Sequence, residues 1–235
     1  MLQKVRSLFM AEPLTRGRAT AAAAAPSVPD KAMPGVLRHS NGLSEFLKGW
    51  DKATGRRVLD LGCTSSFNLC YFTDRDHCVY SDDLLQECLQ PVYQLEGENG
   101  PVFDLARYLR ENLEFSPDRF DAILLWDLVD YIPEVLVKPL MQRLTTILRP
   151  GGTILSYFHT RDAGPEAQFF RYHIHDHETL TLRPGPAYRL QRVFNNRHVE
   201  NLFQGYRSIK FFLARDNLRE VLATNGLILP EMKHI

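Results

Sequence analysis

The sequence lacks several features that would narrow its role at once. It has no excess charge: 28 lysines and arginines face 28 aspartates and glutamates in 235 residues. A neutral chain exerts no general pull on nucleic acid or anionic lipid, so no nucleic-acid partner is expected. No apolar run approaches the roughly 20 residues of a membrane-spanning helix; "AAAAA" and "AILLW" are the longest candidates, and no membrane span is expected. Cysteine is scarce. Cys63, Cys70, Cys78 and Cys88 match no zinc or thioredoxin spacing and read as reduced, packed thiols of a cytoplasmic protein. Glycine is missing where a nucleotide-binding turn usually repeats it. In "VLDLGCTSSFNLCYF" Gly62 is present, but Thr64 and Ser66 stand where further glycines are common.

What is present is organised. Acids are few in residues 1–38, where basic residues, alanines and prolines accumulate. Composition favours a disordered leader there over an organelle presequence, although "MLQKVRSLF" has the makings of a short basic helix. From residue 39 to the end, helical and strand patterns alternate. "GLSEFLKGWDKA" reads as a helix, "RVLDLG" as a buried strand, "SFNLCYFTDR" as a helix and "HCVYSDD" as a second strand. "LLQECLQ" follows as a short helix, "VYQLEGENGPV" as a loop and "FDLARYLRENL" as a helix. "FDAILLWDL" is the third and most apolar strand. Pro139 is expected in the first turn of a helix through "LMQRLTTIL", and "TILSYFH" is the next strand. Such alternation predicts a doubly wound α/β fold around a mostly parallel sheet. Residues 160–196 break the pattern and read as a β-rich lid or substrate insertion. The short helix "RHVENLFQG" follows, then the closing strands "YRSIKFFLA" and "LREVLATNG".

In order and spacing, "VLDLGC", "VYSDD", "FDAILLWDLVDYI" and "LRPGGTIL" resemble the successive motifs of the class I S-adenosylmethionine-dependent methyltransferases. The resemblance implies a seven-stranded Rossmann-like sheet with a terminal antiparallel strand. It implies S-adenosylmethionine as cofactor and methyl transfer to a small-molecule acceptor. Asp60 and Asp83 lie 23 residues apart, as the family's two acidic positions do. A carboxylate closing the second strand can accept from both ribose hydroxyls; Asp82 is the neighbouring alternative, since alternation points only one of the two inward. The same resemblance makes Gly62, Thr64 and Ser66 the methionine-side turn. The two hydroxyls would bind the carboxylate or cap the next helix. Asn112 would read the adenine, and Trp126 would line the site, with Tyr131 within reach of it. Asp127 and His159 are the candidate bases, needed only for a hydroxyl or protonated-amine acceptor.

Other readings compete. Loss of the glycines also suits a module that kept the fold and lost turnover. A nicotinamide-dependent oxidoreductase is disfavoured, because its pyrophosphate needs close backbone approach at those glycines. "YHIHDHE" puts His173, His175 and His177 at period two, a possible metal face. Three ligands in line on one strand rarely surround an ion, so a solvated strand face is preferred and no metal is expected.

Overall fold

The computed structural model describes residues 35–63, 65–98, 100–160, 163–164, 167–213 and 216–226. Thr64, residues 1–34 and the tail from 227 onward lie outside them. In chain order the elements are β1 (Val36–His39), α1 (Asn41–Leu47), β2 (Arg57–Asp60), α2 (Ser66–Thr73), β3 (Cys78–Ser81) and α3 (Leu84–Cys88). Then come β4 (Gln94–Gly97), β5 (Gly100–Phe103), α4 (Leu105–Glu111), β6 (Phe120–Trp126), α5 (Leu128–Tyr131) and α6 (Glu134–Ile147). The last are β7 (Leu148–His159), β8 (Phe170–Ile174), β9 (Thr179–Pro184), α7 (Asn196–Leu202), β10 (Ser208–Leu213) and β11 (Leu218–Thr224).

The central sheet has six strands in the order β10-β11-β7-β6-β2-β3. β3, β2, β6 and β7 run parallel, and β11 then β10 add antiparallel. Alternation along the strands sends Leu59, Ile123, Ile154 and Phe158 into a core shared with α5 and α6. Val58, Leu124, Leu155 and Tyr157 go to the opposite core with α1. β6 is buried on both faces, as a central parallel strand requires. α6 lays Leu136, Leu140 and Leu144 on the sheet at helical spacing.

Four expectations need correcting. The sheet has six strands among the described residues, not seven. The chain between α3 and α4, read as a loop, folds on itself as the hairpin β4–β5, paired Gln94 to Phe103. Pro101 within it has no N–H to give to a sheet ladder. Pro139 lies inside α6 rather than in its first turn. Its missing N–H falls opposite the carbonyl of Val135, an exposed residue at the start of the helix that water can satisfy. Residues 36–38, read as the end of a leader, belong instead to β1, because Val36–His39 pairs antiparallel with Thr179–Leu182.

That pairing changes what the 160–196 segment is. β8 and β9 form a hairpin, and β1 adds to it as a third strand in a separate sheet, β1-β9-β8. Tyr172, Ile174, Leu180 and Leu182 pack this small sheet against Trp126, Tyr157 and Leu155 of the main one. The histidines do not share a face. β8 ends at Ile174, His173 is buried, and His175 and His177 are exposed in the turn beyond. No group of three His, Cys, Asp or Glu capable of holding a metal exists among the described residues. No described helix is long and apolar enough to cross a membrane.

Candidate active site

β2, β3 and β6 end side by side, and the turn after β2 leads into α2. Ser65 caps α2, accepting from the Asn68 N–H at 3.2 Å. Ser66, expected to cap or to bind a ligand, is the exposed first helical residue instead. One residue of register separates the two, and the extended backbone of Ser65 is what makes it the cap.

Asp60 closes β2, fully buried. Its carboxylate accepts from the Gly62 N–H at 3.2 Å, the Asn68 amide at 2.8 Å and the Trp126 indole N–H at 2.7 Å. Burial pushes its pKa up and these donors oppose the rise. Trp126 adopts φ 49°, a left-handed backbone rare for a bulky residue. The register of β6 against β7 shifts between Leu124 and Trp126. This local irregularity carries the indole over Gly62, where an added Cβ would stand 2.6 Å from Cδ1 of Trp126. Glycine is therefore required at 62 for contact with the chain's own tryptophan.

The other face of that indole is covered by Tyr172 of β8, stacked with ring centroids 5.2 Å apart and planes 2° apart. Asn68 ties β8 down: its amide donates to the Tyr172 carbonyl at 3.1 Å and its oxygen accepts from the Ile174 N–H at 2.7 Å. Ser65 Oγ lies 2.7 Å from Nδ1 of His173. Asn68, Ser65 and Tyr172 were absent from the sequence reading. Asn68 had a signal, an amide three residues beyond a serine in the turn, whereas Tyr172 had none because its partner is 46 residues away.

Asp83 ends this edge of the site. It caps α3 by accepting from the Gln86 N–H at 3.1 Å. Asp83, Gly62, Trp126, Asp127, Arg171 and Tyr172 are among the residues lining a cavity of about 20 Å³, room for a water or two. Asp82 and Asn112 do not line it. Asn112 is buried at the end of α4, donating to the Tyr108 carbonyl at 2.8 Å and to the Tyr93 hydroxyl at 3.2 Å. Burial, then the Asp83 charge, pushes the Cys63 thiol far above its usual range, which excludes it as a nucleophile.

Asp127 and His159 form the second half of the site. Asp127 Oδ2 accepts from the Tyr172 hydroxyl at 2.9 Å. Burial pushes its pKa up to about 7; the His159 charge and the Tyr172 bond pull it back and the Asp130 charge adds to the rise. His159, at the end of β7, places Nδ1 2.9 Å from Asp130 Oδ2, which also accepts the His159 backbone N–H at 2.6 Å. Burial works against a charged imidazole, but the Asp130 bond and the Asp127 charge raise the His159 pKa overall. Burial raises Asp130 as well. Both directions mean that the pair holds its proton tightly. Tyr131 is buried and stands edge-on to the His159 ring at 5.7 Å.

The Asp127 shift has a consequence for stability. An unfolded Asp127 titrates near 3.8 and the folded one near 7. The folded state therefore takes up the proton first, and stability rises as pH falls through 7 and levels off below about 4. From pH 8 to pH 6 this group adds about 1.4 kcal/mol. Raised His159, Asp60 and Asp130 act in the same direction, and His77, lowered by burial and Arg56, acts against them. Urea unfolding at the two pH values should show the gain in the wild type. Asp127→Asn should lose about 1.4 kcal/mol of it, and an unchanged slope would contradict the assignment.

Comparison with known proteins places this geometry in context. The model of the methyltransferase-domain family matches residues 32–227. No curated protein matches the chain. Among solved structures, the Burkholderia thailandensis 1,6-didemethyltoxoflavin-N1-methyltransferase, with bound 1,6-didemethyltoxoflavin and S-adenosylhomocysteine, is similar at 17% identity and TM-score 0.44. That match covers 79% of this chain and 77% of that one. An S-adenosylmethionine-dependent methyltransferase from Mesorhizobium loti is similar at 16% identity and TM-score 0.46, over 77% of this chain and 95% of that one. One from Methanosarcina mazei stands at 13% and 0.45, over 74% and 94%.

Proposed function

The chain belongs to the methyltransferase-domain family, and from that premise we propose that it transfers a methyl group from S-adenosylmethionine to a small-molecule acceptor. The observation that carries the reading is the family match across both large sheets, from β1 to β11. The strand ends at Gly62 and Asp83 supply the chemistry such a donor needs. Asp83 offers a carboxylate just beyond the end of β3 for the ribose hydroxyls, and Gly62 opens the turn that leads to the start of α2. Asp60, expected to bind the donor, is spent on Asn68, Trp126 and Gly62 and acts as a pin for the turn.

The residues suit the donor, but the space between them does not. A cavity of about 20 Å³ holds no nucleoside, so Trp126 has to leave Gly62, and its stack with Tyr172, before the donor settles. Once bound, the donor supplies a methyl group already activated on a sulfonium. The chain's own work is to align the acceptor, keep water out and take a proton where the acceptor carries one. Asp127, half protonated near pH 7, and His159 with Asp130 are the groups able to hold that proton.

Calorimetric titration of S-adenosylmethionine and S-adenosylhomocysteine into the folded chain tests the reading. Saturable binding is expected, weakened roughly ten- to a hundredfold by Asp83→Ala, the worth of hydrogen bonds to a charged group. Absence of binding by protein shown to be folded would leave a module of this fold that does not use the donor.

A further inference from the structure

A second, larger cavity lies beyond Phe170, which lines both. It is a groove of about 430 Å³ between β1, the β8–β9 hairpin and the start of β11. Leu37, Phe170, Leu182 and Leu218 form its walls, and His159 lines it at the end of β7. The lining is mostly apolar, and its charges are already used. Arg38 donates to Asp216 at 2.5 and 3.1 Å and to Glu220 at 2.5 Å. A charged ligand would find no free countercharge on those groups, and burying it unpaired would be costly.

His159 is the chemically active group on this lining. Asp130 Oδ2 lies 2.9 Å from Nδ1; in the neutral ring a carboxylate there accepts from Nδ1–H and leaves the lone pair on Nε2. The charged and titratable groups that bear on the ring are Asp127, Asp130 and Asp216, with Arg219 acting on Asp130 and the Tyr131 ring at its edge. An imidazole oriented by a buried carboxylate in an apolar groove is an arrangement for taking a proton from a hydroxyl.

We propose that this groove is the acceptor subsite, and that it takes an uncharged, largely apolar compound carrying a phenol- or enol-type hydroxyl whose proton passes to His159. The inference rests on the methyl-transfer reading. The acceptor O–H bond breaks and its proton moves to Nε2 of His159. The oxygen lone pair forms the new bond to the methyl carbon as the carbon–sulfur electrons return to sulfur, leaving a neutral thioether. Asp130 is a positioning residue that acts through the imidazole.

The test needs no methyl donor. 4-Nitrophenol is titrated into the full chain and its bound phenolate is followed by visible absorbance across pH. Wild type should bind it saturably and lower its ionisation midpoint by about one pH unit, a tenfold shift toward phenolate. His159→Asn should bind the probe without lowering its ionisation midpoint, which should instead stand at or above its value in water. Leu37→Glu, at a position 62% exposed and so harmless to folding, should weaken binding about tenfold by placing a charge at the groove wall. No saturable binding, an equal ionisation shift in His159→Asn, or binding indifferent to Leu37→Glu would each overturn the assignment. Donor titration read separately tells failure of this subsite from failure of the methyl-transfer reading.

Discussion

Replacing Trp126 with alanine should strengthen S-adenosylhomocysteine binding by about thirty- to eight-hundredfold, even though it weakens the fold. In the wild type, a ligand settling over Gly62 has to displace the indole. It must break the indole's hydrogen bond to the Asp60 carboxylate, worth about 1.5–3 kcal/mol for a charged acceptor. It must also separate the stack with Tyr172, worth about 0.5–1.5 kcal/mol. Together these tax binding by about 2–4 kcal/mol, which is the fold-change expected when the tax is removed. The left-handed backbone at Trp126 returns a little of that cost when it relaxes. Truncating a buried tryptophan costs about 3–5 kcal/mol, so the comparison belongs at low temperature with circular dichroism confirming the fold. Tyr172→Leu should move affinity the same way by a smaller factor, since it removes the stack and leaves the indole bonded. Equal or weaker affinity in folded Trp126→Ala would mean that the indole does not stand in the ligand's place.

Glu220→Ala should be the most damaging single change outside that site, costing about 3–5 kcal/mol. Glu220 is 1% exposed and accepts from the Arg38 guanidinium at 2.5 Å, the Ser40 hydroxyl at 3.0 Å and the Gly42 N–H at 2.5 Å. Its removal leaves a buried arginine with Asp216 as remaining partner, and Gly42 at the start of α1 loses its acceptor. Alanine cannot fill the hole, and Gly42 is packed so closely that an added Cβ there would lie 2.7 Å from Oε2 of Glu220. Urea melts of wild type and variant give the difference directly. A loss under 1 kcal/mol, the worth of an exposed pair, would show that water replaces Glu220 without penalty.

What the sequence disclosed and what it hid divide along physical lines. The strands ending at Asp60, Ser81, Trp126 and His159 were legible because parallel strands are apolar runs with glycine or acids at or just beyond their ends. The antiparallel closing pair was legible from two apolar runs joined by the turn "RDN" and from the family's terminal antiparallel strand. The β4–β5 hairpin was not, because its strands are exposed along almost their whole length and carry no apolar period. β1 was missed for a related reason: it is four residues long, three of them exposed, and its partner lies far along the chain. At the site, Asp60 and Asp83 were identified by spacing, yet spacing says nothing of what fills the ground between them. That Trp126 would swing over Gly62 depends on a backbone irregularity and on Tyr172, and neither leaves a periodic trace. Ser65 rather than Ser66 caps α2 because one residue's backbone turns extended, below the resolution of any pattern.

β1 also sets an order of events for a chain emerging from the ribosome. Val36 pairs with Leu182, 146 positions later, and Arg38 meets its acid partners only at Asp216 and Glu220. β1 has no ladder until Leu182 has been made, and Arg38 has no counterion until Asp216 and Glu220 follow. The central parallel strands, by contrast, find their neighbours well before that. Closing so long a loop carries a large entropic cost before any contact repays it. β1 is thus a late addition to the small sheet over the site, and its strand edge stays open to other chains until Thr179–Leu182 has been made.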